Sequence, residues 1–456
     1  MARNVLSPAL GAAFVALAMA SGAAAQTLQE SLAAAYANNP TLEAQRAALR
    51  ATDEAVPQAL SNWRPTVTLN SSYGRTLQNT APDSAARPDI DINPFVNSLT
   101  LAQPLYRGGR TTATTRSAEA AVQAGRATLT STEQTVLQQA VAAYMDVLQN
   151  QAVLELNRNN EQVLSRQLDA ARDRFRVGEI TRTDVSQAEA RLSRARSDRT
   201  TAEGNLTSSR AIFQRVVGQM PERLMPPAPL AGLPANEQQA AEIGLNENPQ
   251  LLAAVYNEEA SRHDIRAASG ALLPTITANS TLQRGIEQQA PNQNLNTAAI
   301  TANLSIPLYE AGATYSAVRQ RRQINSQRIV QVEEQRRSVR EGVVRAWEAL
   351  MTARGTITAR QAQVDASRVA LDGVTQEAQV GSRTTLDVLD AEQELLDASV
   401  ALVRAQRDEF VASYALLGAI GRLTARNLGL AVQLYDPAAH YNEVRDKWWG
   451  TDGGLD

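Results

Sequence analysis

Val177-Gly178-Glu179-Ile180-Thr181-Arg182-Thr183-Asp184 interrupts a proline-free stretch of this chain, and Val380-Gly381-Ser382-Arg383-Thr384-Thr385-Leu386-Asp387 interrupts another 203 positions later. A glycine just past a helix end, followed by Thr and Asp at the next helix start, is stop-then-cap chemistry. Each segment therefore reads as a tight turn between two helices. Those helices are long, because 116 residues without proline separate Pro104 from Pro221 and 129 separate Pro307 from Pro437. The first rod is expected from about Thr111 to Val177. At about 1.5 Å per residue it measures roughly 100 Å, far beyond an ordinary globular helix.

The returning helix of the second copy carries two heptad seams. One starts Leu386, Leu389, Gln393, Leu396 and the other Val388, Ala391, Leu395, Ala398, each keeping 3,4 spacing to Leu417 and Ala419. Two seams imply neighbours on two sides, as in the wall of a tube. The first-copy seam, Val185, Ala188, Leu192, Ala195, Arg199, Ala202, Leu206, Ser209, Phe213 and Val216, is thinner but in register. A long antiparallel bundle or stalk fits the same pattern.

Outward from the rods the duplication continues. Leu105-Tyr106 recurs as Leu308-Tyr309 and Tyr144 as Trp347, displaced by 203; Asn39-Pro40 recurs as Asn248-Pro249 and Pro65-Thr66 as Pro274-Thr275, displaced by 209. The first copy thus holds six extra residues between Tyr73 and Pro104, in a loop that tolerates insertion. Thr66 to Tyr73 and Thr275 to Leu282 alternate polar with apolar or small residues. After the loops, Leu99, Leu101 and Leu105, and then Leu304, Ile306 and Leu308, are expected on one face. Each copy therefore reads as helix, strand, strand, helix, and its hairpin has one wet and one oily side. A barrel wall shows this pattern, and so does a half-buried soluble strand.

Arg3, the apolar run from Ala9 to Ala20 and the small residues Ala23-Ala24-Ala25 form a secretory signal peptide over 1–25, with cleavage expected before Gln26. No cysteine is present, which excludes disulfides, thiolate metal sites and an acylated cysteine. No later stretch approaches 18 apolar residues, so a bacterial outer membrane is the remaining membrane option. A formal net charge of −3 gives no basic footprint for nucleic acid. The only histidines are His263 and His440, and no HExxH, P-loop, GxGxxG or GxSxG motif occurs. His263 reads as a surface or packing residue, and no catalytic site, cofactor or resident metal is expected.

The duplicated plan, the two Val-Gly turns followed by Asp-Val, and the run from Val380 to Ala391 resemble the TolC-like outer-membrane efflux and export proteins over nearly the whole mature chain. The resemblance implies a homotrimer, with a twelve-stranded outer-membrane β-barrel continued by a twelve-helix periplasmic α-barrel. It implies an exit duct for a tripartite efflux pump or type I secretion system, working with a periplasmic adaptor and an inner-membrane pump of RND, ABC or MFS type. Asp387 and Asp390, three apart in the first turn of the returning helix, face the same way. They match the family's selectivity ring, where crowded carboxylates bind a divalent or polycationic blocker and raise one another's pKa. Their plainer role is as favourable charges at a helix N-terminus. Arg383 matches a locking arginine, and Thr183 and Asp184 its partners. Ala378 stands where the family has a second locking residue, a tyrosine, so that bond is absent. Val177, Gly178, Glu179, Val380, Gly381 and Ser382 match the tips offered to the adaptor.

The expected layout is a first repeat over 26–220, a proline-rich linker over 221–236, a second repeat over 237–420 and a tail over 421–456 packed near the waist. A trimeric stalk, adhesin-like and anchored by a small barrel, is the competing reading. It gives no reason for a second helical hairpin or for paired acids at the turn farthest from the membrane.

Overall fold

The computed structural model describes residues 26–78 and 90–452. The expected signal peptide and part of the first-copy insertion lie outside them. The first repeat comprises α1 (Leu28–Asn38), α2 (Pro40–Asp53), α3 (Ala55–Leu60), β1 (Thr66–Tyr73), β2 (Thr76–Gln78), β3 (Ile90–Ile92), β4 (Phe95–Arg107), α4 (Arg110–Arg176) and α5 (Arg182–Val217). The second comprises α6 (Glu237–Glu247), α7 (Pro249–Ser269), β5 (Thr275–Ile286), β6 (Asn294–Ser305), α8 (Ala313–Gln379) and α9 (Thr385–Ala419), and α10 (Ala439–Val444) lies in the tail. Helices α4 and α8 are both 67 residues long, and α4 lies within one residue of the expected rod from Thr111 to Val177.

One mixed-copy sheet runs β1-β4-β5-β6, all antiparallel, with β2 and β3 forming a small ribbon beside it. Its register puts Val67, Leu101, Ser280 and Ile300 in one row and Leu69, Leu99, Leu282 and Ala298 in the next, all on one face. The opposite face carries Thr68, Thr100, Thr281 and Ala299, then Thr66, Ala102, Asn279 and Thr301. An oily and a wet side are thus present. Three expected positions need correction. A register shift between Pro104 and Tyr106 leaves Leu105 without a cross-strand partner and sets Tyr106 opposite Ile276 on the apolar face. Ile306 and Leu308 lie beyond β6, which ends at Ser305.

The core sits at the waist of the rods, where α1, α6 and the residues after α9 wrap α4, α5, α8 and α9. Tyr144 is fully buried there. Its hydroxyl proton is shared between the carbonyls of Gln26 (2.9 Å) and Met225 (2.6 Å), and burial pushes the phenol up to about 12. The two seams of α9 are both used: Leu389, Phe410, Tyr414 and Leu417 of one and Val388, Ala398, Ala405 and Leu416 of the other are buried. Its neighbours are α8 on one side and α4 on the other.

Each repeat closes on itself through the asparagine of its Asn-Pro pair. Asn39 caps α2 by accepting from Thr41 N (2.9 Å), while its amide donates to Val216 O at the end of α5 (2.9 Å). Asn248 caps α7 through Gln250 N (2.9 Å) and donates to Ala419 O at the end of α9 (3.0 Å). One side chain thus satisfies a helix start and a helix end that would otherwise leave backbone groups unpaired. Asn39→Ala or Asn248→Ala should cost about 2 kcal/mol, a cap plus a buried hydrogen bond. The check is a lowered thermal midpoint of the mature protein in detergent, with Asn246→Ala, exposed on α6, as the near-neutral control.

Candidate gate and docking site at the helical tips

Far from the sheet, each helical hairpin turns within a few residues. Helix α4 ends with Val177 in a helical backbone and Gly178 at φ 84°, so that Gly178 N bonds to Phe175 O and Glu179 N to Arg174 O, both at 3.0 Å. Gly381 repeats this at φ 79°, with Ser382 N donating to Glu377 O at 3.0 Å. These left-handed positions require glycine. Reciprocal capping boxes restart the chain: Thr181 N and Oγ1 donate to Asp184 Oδ2 (2.9 and 2.8 Å), and Thr384 N and Oγ1 donate to Asp387 Oδ2 (2.8 Å each). Stop-then-cap chemistry is therefore what the turn uses. Val177 and Val380 are 72% and 80% exposed, so each tip offers an apolar residue to solvent.

The two ring candidates have separate partners within the chain. Asp387 turns back onto its own cap, and the Thr384 hydrogen bonds hold its carboxyl below the ordinary aspartate value. This is opposite in direction to the elevation that crowding alone predicts. Asp390, one turn on, pairs with Arg191 of α5. Next to that pair, Leu389 packs into a small cluster of Leu164, Leu168, Ala171, Ala188, Leu192 and Ala195 from α4 and α5. Near the tips the second hairpin thereby meets the first through one ion pair and one leucine, and toward the waist Arg407 of α9 pairs with Asp146 of α4 at 2.8 Å.

Arg383 is not brought to Thr183 or Asp184 within the chain. Its Nε donates to Glu377 Oε2 at 2.9 Å, and that bond holds the guanidinium above the ordinary arginine value. Thr183 is exposed and Asp184 is engaged by Thr181. The physical reason is proximity, because Glu377 lies six residues back on the same hairpin. Sequence reading missed Arg191, whose neighbours Arg194, Arg196 and Arg199 give it no distinguishing mark. Among the described residues no three His, Cys, Asp or Glu side chains gather as metal ligands, and no helix is long and apolar enough to cross a membrane.

Residues 31–219 and 242–422, nearly one stretch per repeat, match the outer membrane efflux protein family. The chain belongs to this family. It is 39% identical over 432 residues to the outer membrane efflux protein BepC of Brucella suis biovar 1, covering 94% of this chain and 92% of that protein. Against the outer membrane protein TolC of Vibrio cholerae serotype O1 it is 28% identical over 414 residues, covering 89% and 92%. The CmeC outer membrane channel of Campylobacter jejuni shares the fold, with a TM-score of 0.78 at 16% identity over 91% of this chain and 88% of that one. This outer membrane efflux protein is thus a channel of the outer membrane, not an enzyme, and nothing among its relatives supports the stalk reading.

Because exposed ion pairs contribute about 0.5 kcal/mol, Arg191→Ala should loosen the start of α9 by roughly twofold. Hydrogen exchange over Leu386–Asp397 is the measurement, with exchange at Leu416 and Leu417 unchanged.

Proposed function

We propose that three copies of this chain close the four-stranded sheet into a twelve-stranded outer-membrane barrel and the long helices into a twelve-helix periplasmic tunnel, forming a passive exit duct. One observation carries this reading. Helices α4 and α8 have equal length, yet α4 buries 23 residues and α8 six. Strands β1 and β6 are likewise exposed along their whole length, whereas β4 and β5 are paired on both edges. A second copy supplies the missing flank, because β6 and β1 are the repeat equivalents of β4 and β5. A 12-residue strand such as β5 rises about 40 Å. With a tilt near 40° it spans about 30 Å, the thickness of a bilayer's hydrocarbon core. The Val67–Leu69 face then meets lipid and the threonine face meets water.

At the other end, the tips at Val177, Gly178 and Glu179 and at Val380, Gly381 and Ser382 would receive a periplasmic adaptor. The adaptor links the duct to an inner-membrane pump of RND, ABC or MFS type, which supplies the energy. Threefold symmetry would gather Asp387 and Asp390 into stacked acidic rings at the entrance. Arg383, released from Glu377, would reach Thr183 and Asp184 of a neighbouring subunit as the lock between chains, while Arg191–Asp390 holds the hairpins within one chain.

Two measurements test this. The internal register transfers by the repeat offsets of 203 and 209, so that Leu101 opposite Ser280 becomes Leu304 opposite Ser71 of the partner subunit. In this cysteine-free chain, Leu304→Cys with Ser71→Cys should give disulfide-linked trimers on denaturing gels, and Leu304→Cys with Ser72→Cys, on opposite faces, should not. In planar bilayers a trivalent cation on the periplasmic side should block small cation-selective openings, and Asp387→Ala/Asp390→Ala should abolish that block. Because its cap keeps Asp387 ionised as pH falls, the block should persist down to the ordinary aspartate value. Loss of block well above that value would remove Asp387 from the ring.

A further inference from the structure

Three of the four tryptophans in this aromatic-poor chain, Trp63, Trp448 and Trp449, converge on the foot of the sheet. Trp63 precedes β1, and its carbonyl accepts from Gln103 Nε2 of β4 at 2.8 Å. Gln103 shares the apolar face of the sheet with Leu99 and Leu101. The next residue, Arg64, donates from Nη1 to Lys447 O at 2.6 Å and sets its guanidinium 4.9 Å from the Trp448 ring centroid. The far end of the tail is therefore fixed at the level where the strands begin.

The path of the tail explains how it gets there. Leu423, Ala425 and Leu430 are buried in the waist. Beyond them the chain runs along α2 and α4. His440 Nδ1 lies 3.2 Å from Asp53 Oδ2, and Asp53 is almost wholly buried. Arg445 bonds Tyr441 (3.1 Å) and Glu119 (3.4 Å). From Asp53 the elements α2, α3 and the turn at 61–63 lead straight into β1. A strap held at three points ends in two adjacent indoles that are 61% and 85% exposed.

Two neighbouring solvent-exposed tryptophans are a costly way to finish a soluble tail. They suit one environment well. An indole has an apolar body and one N–H donor, which places it at the level of lipid headgroups, and tryptophan concentrates at membrane–water interfaces for that reason. The charges nearby are mixed, with Lys447 turned to Asp452 (Nζ to carbonyl O, 2.5 Å), Asp446 exposed and Arg64 beside the Trp448 ring, so the indoles themselves carry the argument.

We propose that Lys447-Trp448-Trp449 is a membrane-interface anchor, which inserts the two indoles into the phospholipid headgroup region of the periplasmic leaflet of the outer membrane. Together with Trp63 it fixes the depth of the barrel from outside the strands. The proposal rests on the reading that the sheet is the membrane wall.

The test uses the full mature chain with Trp63→Phe and Trp347→Phe, so that only the tail indoles fluoresce. It is reconstituted in phosphatidylethanolamine–phosphatidylglycerol vesicles with phospholipids brominated either near the headgroup or near the acyl terminus. Headgroup-proximal bromine should quench at least half of the emission, terminal bromine much less, and Trp448→Phe/Trp449→Phe in the otherwise native chain should lose the tail's share and keep only the shallow quenching of Trp63. Water-like emission that neither lipid quenches, from vesicles that conduct, overturns the anchor while leaving the duct intact. Vesicles that neither conduct nor retain the protein on flotation overturn the membrane-wall reading, and the anchor with it.

Discussion

A helix of 67 residues cannot bury itself, and the rest of this molecule follows from where its flanks are covered. Long rods with Ala, Leu and Val seams are stable in water only when neighbours lie along them, since propensity alone supplies little. Helix α4 has those neighbours within the chain, in α5, α7 and α9. Helix α8 has α9 and α7, but its remaining flank and the edge of β6 are bare. Duplication turns this into a rule of assembly, because the contact that covers the first repeat is the contact the second repeat lacks. As the proposed membrane wall, the sheet would be under the stricter form of the constraint, since a bilayer leaves no water to satisfy an open strand edge.

Stability is distributed unevenly along the rods. At the waist, Leu137, Tyr144, Phe213, Leu350 and Leu416 are essentially inaccessible, and truncating one such leucine costs about 2–5 kcal/mol. At the tips a small leucine–alanine cluster and one ion pair join the hairpins, and an exposed pair contributes at most about 1 kcal/mol. Displacement of the periplasmic ends is therefore far cheaper than disruption of the waist, as a duct that opens at one end requires. The asparagine clasps at Val216 and Ala419 sit inside the waist, beside the buried Val217 and Ile420.

Features set by local chemistry were legible in the sequence. Glycine at a left-handed position, Thr-x-x-Asp at a helix start and long runs without proline each act within a few residues, so the ends of α4 and both capping boxes could be read directly. The alternation of the strands was legible too, but not the bulge that removes Leu105 from its face, because a bulge depends on the partner strand. The acidic pair at Asp387 and Asp390 stood out, while the asparagine clasps, the Arg383–Glu377 bond and Arg191 did not. Those contacts depend on side-chain reach between elements, and an arginine among many arginines carries no sign of which acid it will meet. The tail over 421–456 was legible as a separate segment, and the place of its tryptophans came only with Arg64.

The two repeats are alike in backbone and unlike in chemistry at the tips, and that difference bears on how a closed end opens. The Arg191–Asp390 pair joins the first hairpin to the second within one chain. Its repeat equivalents are Glu394 and Gln187, which cannot form an ion pair. In the proposed three-chain ring the junction between chains lacks this pair and would be held by the Arg383 lock instead, so two kinds of seam would alternate. Release of the Arg383 lock alone would let the second hairpin of each chain swing away from the neighbouring chain while Arg191–Asp390 keeps it with its own first hairpin. On that reading Asp390 stays beside Arg191 and Asp387 on its cap, so the entrance would keep its charge pattern as it widens.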